Sequence, residues 1–448
     1  MAEPAAILTI EAASPGGVPA LVDAIYVLMK TWGYEPTVYR AQFAEGNLSL
    51  PQRIATTLRQ WKARRVEERG LPTVLVPAPP VPLWLFYAVP HFLLGNLLGA
   101  YECIFVASGS AHVALPLALR GIPYVLWIAT LYEDELRAKM SAGDKWAQRV
   151  LNSPTWPILQ AQERWVLNKA ARIMALSPHT AARIREWLPN VADRVETVLY
   201  PVDTTRFHPH HEAHSVAAEG EYLLLAARIT DPRKNVPLLL RAFALVKQQR
   251  PHLRLVLVGE APDDHLLSLV AALSLEEAVI FRGVVPPDEL LRLYQGAALF
   301  VLPSAQEGLG IVVLEALACG TPVVTLASGG PEGIVIDGLT GRVVVEVDDP
   351  AALAQGILDL LDDPDRPAMR ARCAAFAQEH FAYPLIAEKL RAAYEAVRNA
   401  PRGLSRIGQV ITAVWVMFVL ATYVLRQMTL HWASIQQRII DPLLGGVP

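Results

Sequence analysis

Residues 303–322, PSAQEGLGIVVLEALACGTP, gather the side chains best suited to chemistry. Glu307 stands in a glycine-containing turn, and Glu315 follows eight residues later inside a short helix, so the two carboxylates address different parts of one extended ligand. Gly308 and Gly310 let a ligand come close to the backbone. The amides of Leu309, Gly310, Ile311 and Val312 fall at the helix N-terminus, where free N–H groups and the positive end of the dipole attract a diphosphate or a sugar hydroxyl. Arg228 and Lys234, in AARITDPRKNVPLLLRAF, stand just beyond a strand; two cations there suit a leaving diphosphate, with pairing to surface carboxylates as the plain alternative. Ser14-Pro15-Gly16-Gly17 follows the first strand and opens a helix at Val18, where backbone approaches a phosphate or simply makes a tight turn. His112, beyond a neighbouring strand, offers an imidazole to an acceptor or serves as an ordinary surface or capping histidine.

The elements that must position these residues are short β-branched runs at 7–10, 37–39, 73–76, 104–107, 124–128, 173–176 and 195–199, with helical patterns between them. That rhythm is the mark of a parallel sheet with helical crossovers. It pauses over 204–220, where Pro209, four histidines (His208, His210, His211, His214) and small polar residues read as a linker rather than a metal site. It restarts at 222–226, 254–258, 279–281, 299–302, 323–326 and 343–345. The expected fold class is α/β, with two facing Rossmann-like domains and a ligand cleft between the C-terminal ends of their strands. The first domain covers 1–203 and is completed by a returning helix at 384–398; the second covers 221–383.

Composition bounds the partners. In 448 residues, 40 Lys and Arg against 43 Asp and Glu give a formal charge of -3, which argues against nucleic acid as a partner. The three cysteines have no metal-ligand spacing. A hydrophobic content of 53%, with 19% charged residues, is high for a freely soluble chain and directs attention to a membrane. Residues 407–425 (IGQVITAVWVMFVLATYVL) carry no charge and reach about 28 Å as a helix, near the thickness of bilayer hydrocarbon; a packed C-terminal helix is the alternative. Arg398, Arg402 and Arg406 before this run favour main domains on the cytoplasmic face of the cell membrane, with 404–448 as a membrane-associating tail. Residues 51–70 read as a basic amphipathic helix, with Ile54, Leu58 and Trp61 at helical spacing, able to lie on anionic lipid. The shorter apolar stretch 83–98 reads as a domain helix.

In the order Arg228, Lys234, Leu257-Val258-Gly259, Phe281-Arg282-Gly283, Pro303-Ser304, Glu307-Gly308-Leu309-Gly310, Glu315-Ala316 and Gly329-Gly330-Pro331, the chain resembles glycosyltransferase family 4, the retaining, nucleotide-sugar-dependent group with the GT-B fold. The resemblance covers about residues 5 to 398 and departs from the family at Asn235, where glycine is usual, and at Ala129-Thr130, where many members have His-Asp. It implies a hexosyltransferase in which Arg228 and Lys234 hold the diphosphate, Glu307 and the amides after it the donor sugar, and Glu315 the ribose, with Gly16 and Gly17 covering the phosphates. It implies no cofactor beyond the nucleotide-sugar substrate and a lipid-linked or saccharide acceptor. No Asp-X-Asp pair stands where a metal–diphosphate clamp would need one, and the nearest acidic clusters, Asp263-Asp264 and Asp348-Asp349, read as helix caps. A GT-B epimerase or phosphorylase, or an inactive membrane-bound scaffold, are the rival readings.

Overall fold

The computed structural model describes residues 2–10, 17–42, 62–77, 97–141, 143–210 and 220–398. Gly16, most of 83–98, the linker part 211–219 and the whole of 404–448, including the apolar run 407–425, lie outside the described residues. Among the described residues no helix is long and apolar enough to cross a membrane.

The alternating pattern builds two sheets. The first holds β1 (Glu3–Thr9), β2 (Tyr34–Gln42), β3 (Arg64–Glu68), β4 (Leu71–Pro77), β5 (Ile104–Ser108), β6 (Tyr124–Ile128), β7 (Arg172–Ala175) and β8 (Val195–Thr197), in the order β3-β4-β2-β1-β5-β6-β7-β8. The second holds β9 (Tyr222–Ala226), β10 (Arg254–Val258), β11 (Val279–Gly283), β12 (Leu299–Leu302), β13 (Val323–Leu326) and β14 (Gly341–Val344), in the order β11-β10-β9-β12-β13-β14. Strands β5, β6, β9 and β12 are buried throughout, which is why each reads as an unbroken apolar run. Among the parallel strands of each sheet the order reverses once, between β1 and β5 and between β9 and β12. Loops leaving the two strands at such a point diverge to opposite faces and open a crevice at the C-terminal edge.

Two passages of chain join the sheets. Val202 N–H donates to Phe381 O and Tyr383 N–H donates to Val202 O, each at 2.9 Å, so the outgoing and returning passages are tied to each other. Helix Tyr383–Arg398 then packs on the first sheet through Ile386, Leu390 and Tyr394. Tyr394 meets Tyr34 edge-on at 5.4 Å, and its hydroxyl donates to Cys103 O at 3.3 Å. Arg398 closes the helix end by pairing with Glu3 and with Glu102, the latter at 2.7 Å.

The helix expected over 51–70 is corrected for its described part. Residues 64–68 are β3, paired antiparallel with β4 through Glu68↔Leu71 to Arg64↔Leu75. Arg69 and Gly70 take φ of 55° and 75°, the left-handed pair that a two-residue hairpin needs. The Arg-Gly dipeptide outside an apolar strand was the overriding signal, and the charges of β3 suit an exposed sheet edge. Residues 51–61 lie outside the described residues.

Candidate active site

The loop after β9 carries both cations. Asp231 opens the 3₁₀ turn Pro232–Lys234 by accepting the Arg233 N–H at 3.0 Å, and its carboxylate pairs with Arg233 at 2.7 Å and Arg228 at 2.9 Å. Burial pushes this carboxyl upward, but hydrogen bonds from Arg233 and the charges of Arg233 and Arg228 outweigh it, holding the group below its ordinary 3.8. Asn235, which closes the turn, has φ 50° and ψ 40°. The position where the resemblance expects glycine is thus left-handed, and Asn is a side chain that tolerates that region.

Lys234 reaches across the strand reversal to the loop after β12, where its Nζ pairs with Glu307 Oε1. Ser304 Oγ donates to the same oxygen at 3.0 Å. Both partners are largely covered, at 17% and 12% side-chain exposure, whereas Arg228 is 59% exposed. The backbone after Glu307 is clamped from both ends: Glu307 N–H donates to Ser328 O at 2.9 Å, and Gly310 caps helix Ile311–Ala318 with φ 77°. A Cβ at Gly330 would stand 2.8 Å from the Gly308 carbonyl and the Leu309 nitrogen, so the two loops touch backbone to backbone. Among the described residues, the amides of Leu309, Gly310, Ile311 and Val312 donate to no protein group. They are the uncommitted N–H groups of a helix start, beside a paired ammonium and carboxylate.

The first domain faces this loop. A Cβ at Gly308 would lie 3.0 Å from the Ala129 side chain, and Thr180 Oγ1 donates to Ala129 O at 2.8 Å. The departure at Ala129 therefore sits directly against the Glu307 loop. Gly17 begins helix Gly17–Thr31 in open space, with nothing within 4 Å of where a Cβ would stand, and Val18 approaches Gly109 beyond β5.

Glu315 is set apart from the Lys234–Glu307 pair. Tyr294, fully buried in helix Pro287–Gly296, donates its hydroxyl to Glu315 Oε2 at 2.8 Å. Burial pushes the Glu315 carboxyl up to about 7, against the opposing effects of the Tyr294 hydrogen bond and the Arg206 charge.

His112 does not offer a free imidazole to an acceptor. It is 0% exposed, its Nε2 is 2.9 Å from Leu159 O, and its ring meets Tyr132 at 4.9 Å. Burial lowers its pKa to about 4, so it is a neutral core residue. Three contributors escaped the sequence reading: Asp231, Tyr294, and Glu332, which holds the Ser328 and Gly329 amides at 3.1 and 2.7 Å; Ser304 entered it only as part of a motif, without its contact to Glu307. Asp231-Pro232 was legible as a cap before proline; the partnership of Tyr294 with Glu315 has no local signature.

Residues 15–206 match the family description Glycosyltransferase Family 4, and residues 209–380 match Glycosyl transferases group 1. The D-inositol 3-phosphate glycosyltransferase of Thermobispora bispora is 31% identical over 298 residues, 63% of this chain and 67% of that protein. The chain belongs to glycosyltransferase family 4. The Frankia alni relative of the same description is 35% identical over 285 residues, covering 60% of this chain and 66% of the relative. The matched part thus spans about two thirds of these family 4 relatives. Among solved structures, the sucrose-phosphate synthase of Thermosynechococcus elongatus superposes with a TM-score of 0.68 at 21% identity, covering 88% of this chain and 98% of that one. Anabaena Alr3699/HepE in complex with UDP gives 0.65 at 18%, covering 88% and 100%. The fold of this family 4 chain is GT-B, and it is a glycosyltransferase.

Proposed function

We propose that the protein is a retaining hexosyltransferase that moves a sugar from a nucleoside-diphosphate sugar to a lipid-linked or saccharide acceptor. The observation that carries this reading is the Lys234–Glu307 pair, set beside four uncommitted amides at the strand reversal. A donor exchanges that pair for itself: the ammonium turns to the diphosphate, and the carboxylate accepts from a sugar hydroxyl. As the bond from the sugar to the diphosphate breaks, charge gathers on the leaving oxygen, and Lys234, Arg228 and the helix start stabilise it. The acceptor oxygen attacks from the same face and its proton passes to the leaving phosphate, so no separate base is required and Ala129 is tolerable. Glu315, as a carboxylate, accepts from the ribose hydroxyls. No metal or other cofactor enters these steps. Anabaena HepE, solved with UDP-glucose, and the relatives named for D-inositol 3-phosphate support a nucleotide-sugar donor and a hydroxyl acceptor. The apolar run 407–425 supports a lipid-linked acceptor met at the cytoplasmic face of the cell membrane.

Release of nucleoside diphosphate from a panel of nucleotide sugars, with and without lipid extract, tests the reading. Donor-dependent release that is lost in Glu307→Gln supports it. A chain that binds no nucleotide sugar by thermal shift, and releases none, would be a scaffold.

A further inference from the structure

Helix Trp156–Lys169 covers the outside of the first sheet and turns Leu159, Glu163, Val166 and Leu167 inward. Ile158 and Trp165 are left outward, at 37% and 49% exposure. They are seven residues apart, two helical turns, so they share one stripe. The preceding helix, Lys145–Leu151, exposes Trp146 to 44%. The charge of the same segment is one-sided. Lys145, Arg149, Arg164 and Lys169 are all exposed, and the single carboxylate within 145–169, Glu163, is 2% exposed and faces inward, accepting the Tyr132 N–H at 3.0 Å. None of the four cations pairs with a carboxylate among the described residues, whereas Lys30, Arg137, Lys139 and Arg183 all do. Lys169 lies instead over the Trp165 ring at 5.3 Å, and Arg164 over Trp187 at 5.5 Å.

We propose that the face made by residues 145–169 docks on an anionic lipid surface. Exposed tryptophans beside unpaired cations match the demands of a headgroup layer: the rings enter the interface while the cations meet phosphates. The neighbouring acids are already engaged, Glu133 with Arg137 and Gln160, and Asp144 as a helix cap. A neutral surface would leave four cations without a counter-charge. Helix Tyr132–Ser141, which precedes this face, starts three residues after Ala129. The docked face belongs to the same domain as Ala129 and acts independently of the chain beyond residue 398. This inference rests on exposure and charge and not on the identity of the acceptor.

The test is lysine acetylation of the full chain, read by mass spectrometry, with phosphatidylglycerol vesicles, with phosphatidylcholine vesicles, and with none. The expected result is that phosphatidylglycerol slows labelling of Lys145 and Lys169 about fivefold or more, while Lys30, on another face, labels at an unchanged rate. In the triple variant Arg149→Glu, Arg164→Glu, Trp165→Ser, with folding checked by its melting curve, Lys145 and Lys169 should lose that protection, since each cation near such a surface contributes about fivefold. Equal labelling with and without vesicles overturns the proposal. Equal protection by phosphatidylcholine, or protection that persists in the variant, overturns it too. Protection that rises with protein concentration in the absence of lipid would make this a contact between copies of the chain and equally refute it. No arm depends on turnover, so failure here is separable from failure of the proposed transferase reaction.

Discussion

At the scale of single residues, the proposed chemistry turns on the Lys234–Glu307 pair. If Lys234 meets the diphosphate chiefly as charge builds on it, Lys234→Ala lowers kcat about 100-fold or more and changes the donor KM much less. Steady-state kinetics with a verified donor checks this, and an increase in KM alone would contradict it. Tyr294 allows a finer prediction. Its hydroxyl favours the ionised form of Glu315, whose carboxyl sits at about 7. Tyr294→Phe removes that hydrogen bond, so the carboxyl rises further and less of it is ionised at neutral pH. The donor KM of the variant should therefore exceed the parent value at pH 7 and converge on it toward pH 9. A KM ratio that does not vary with pH would separate Glu315 from nucleotide binding.

At the scale of elements, loops and caps decide more than helices do. The Glu307 loop and the Gly329-Gly330 loop touch through backbone, and a Cβ at 330 would be 2.8 Å from Leu309 N. Gly330→Ala must displace one loop, and its φ of -136° shows that crowding rather than backbone strain is the cause. The expected result is loss of nucleotide binding by calorimetry with the fold retained. Glu163 gives a prediction about stability. Burial, together with the negative charges of Asp134, Glu135 and Glu133, raises its carboxyl to about 8 despite the Tyr132 N–H. Its folded pKa is above the ordinary 4.5, so the folded chain holds the extra proton and loses stability as pH rises between the two values, by up to about 1.4 kcal/mol per pH unit. Glu163→Gln keeps an acceptor for Tyr132 without an ionisable group. It should melt above the parent at pH 8.5 and converge on it near pH 5, and a constant difference across that range would disprove the assignment.

At the scale of the whole molecule, the chain crosses between domains twice and ends its described part on the domain where it began. Helix Tyr383–Arg398 fills the first core with Leu390 and Tyr394 and ties its last turn to Glu3 and Glu102. The described chain thus ends packed on the first domain. A chain ending at residue 399 should fold, bind donor, and act on a water-soluble acceptor analogue, while its activity on lipid acceptor in vesicles falls. Circular dichroism and a vesicle assay check this, and a misfolded truncation would make 407–425 part of a core.

What the sequence determined by itself was local or periodic. Apolar runs of four or five residues marked the central strands because those strands are buried on both faces, and Asp263 and Asp349 were legible as caps because a cap's partner lies two or three residues away. Arg228, Lys234, Glu307 and Glu315 were legible as candidates because each stands at a fixed offset from a strand end. Tertiary structure alone decided which of them meet. Lys234 finds Glu307 because β9 and β12 are neighbours across a strand reversal, 73 residues apart in the chain. Glu315 finds Tyr294 because two helices pack, and Ala129 faces Gly308 because two domains close on one another. His112 looked available because it stands just beyond a strand, and only the packing of helix Trp156–Lys169 sealed it. The edge hairpin at β3 escaped for the related reason that a charged strand is stabilised by its partner's backbone, which no pattern within the strand records.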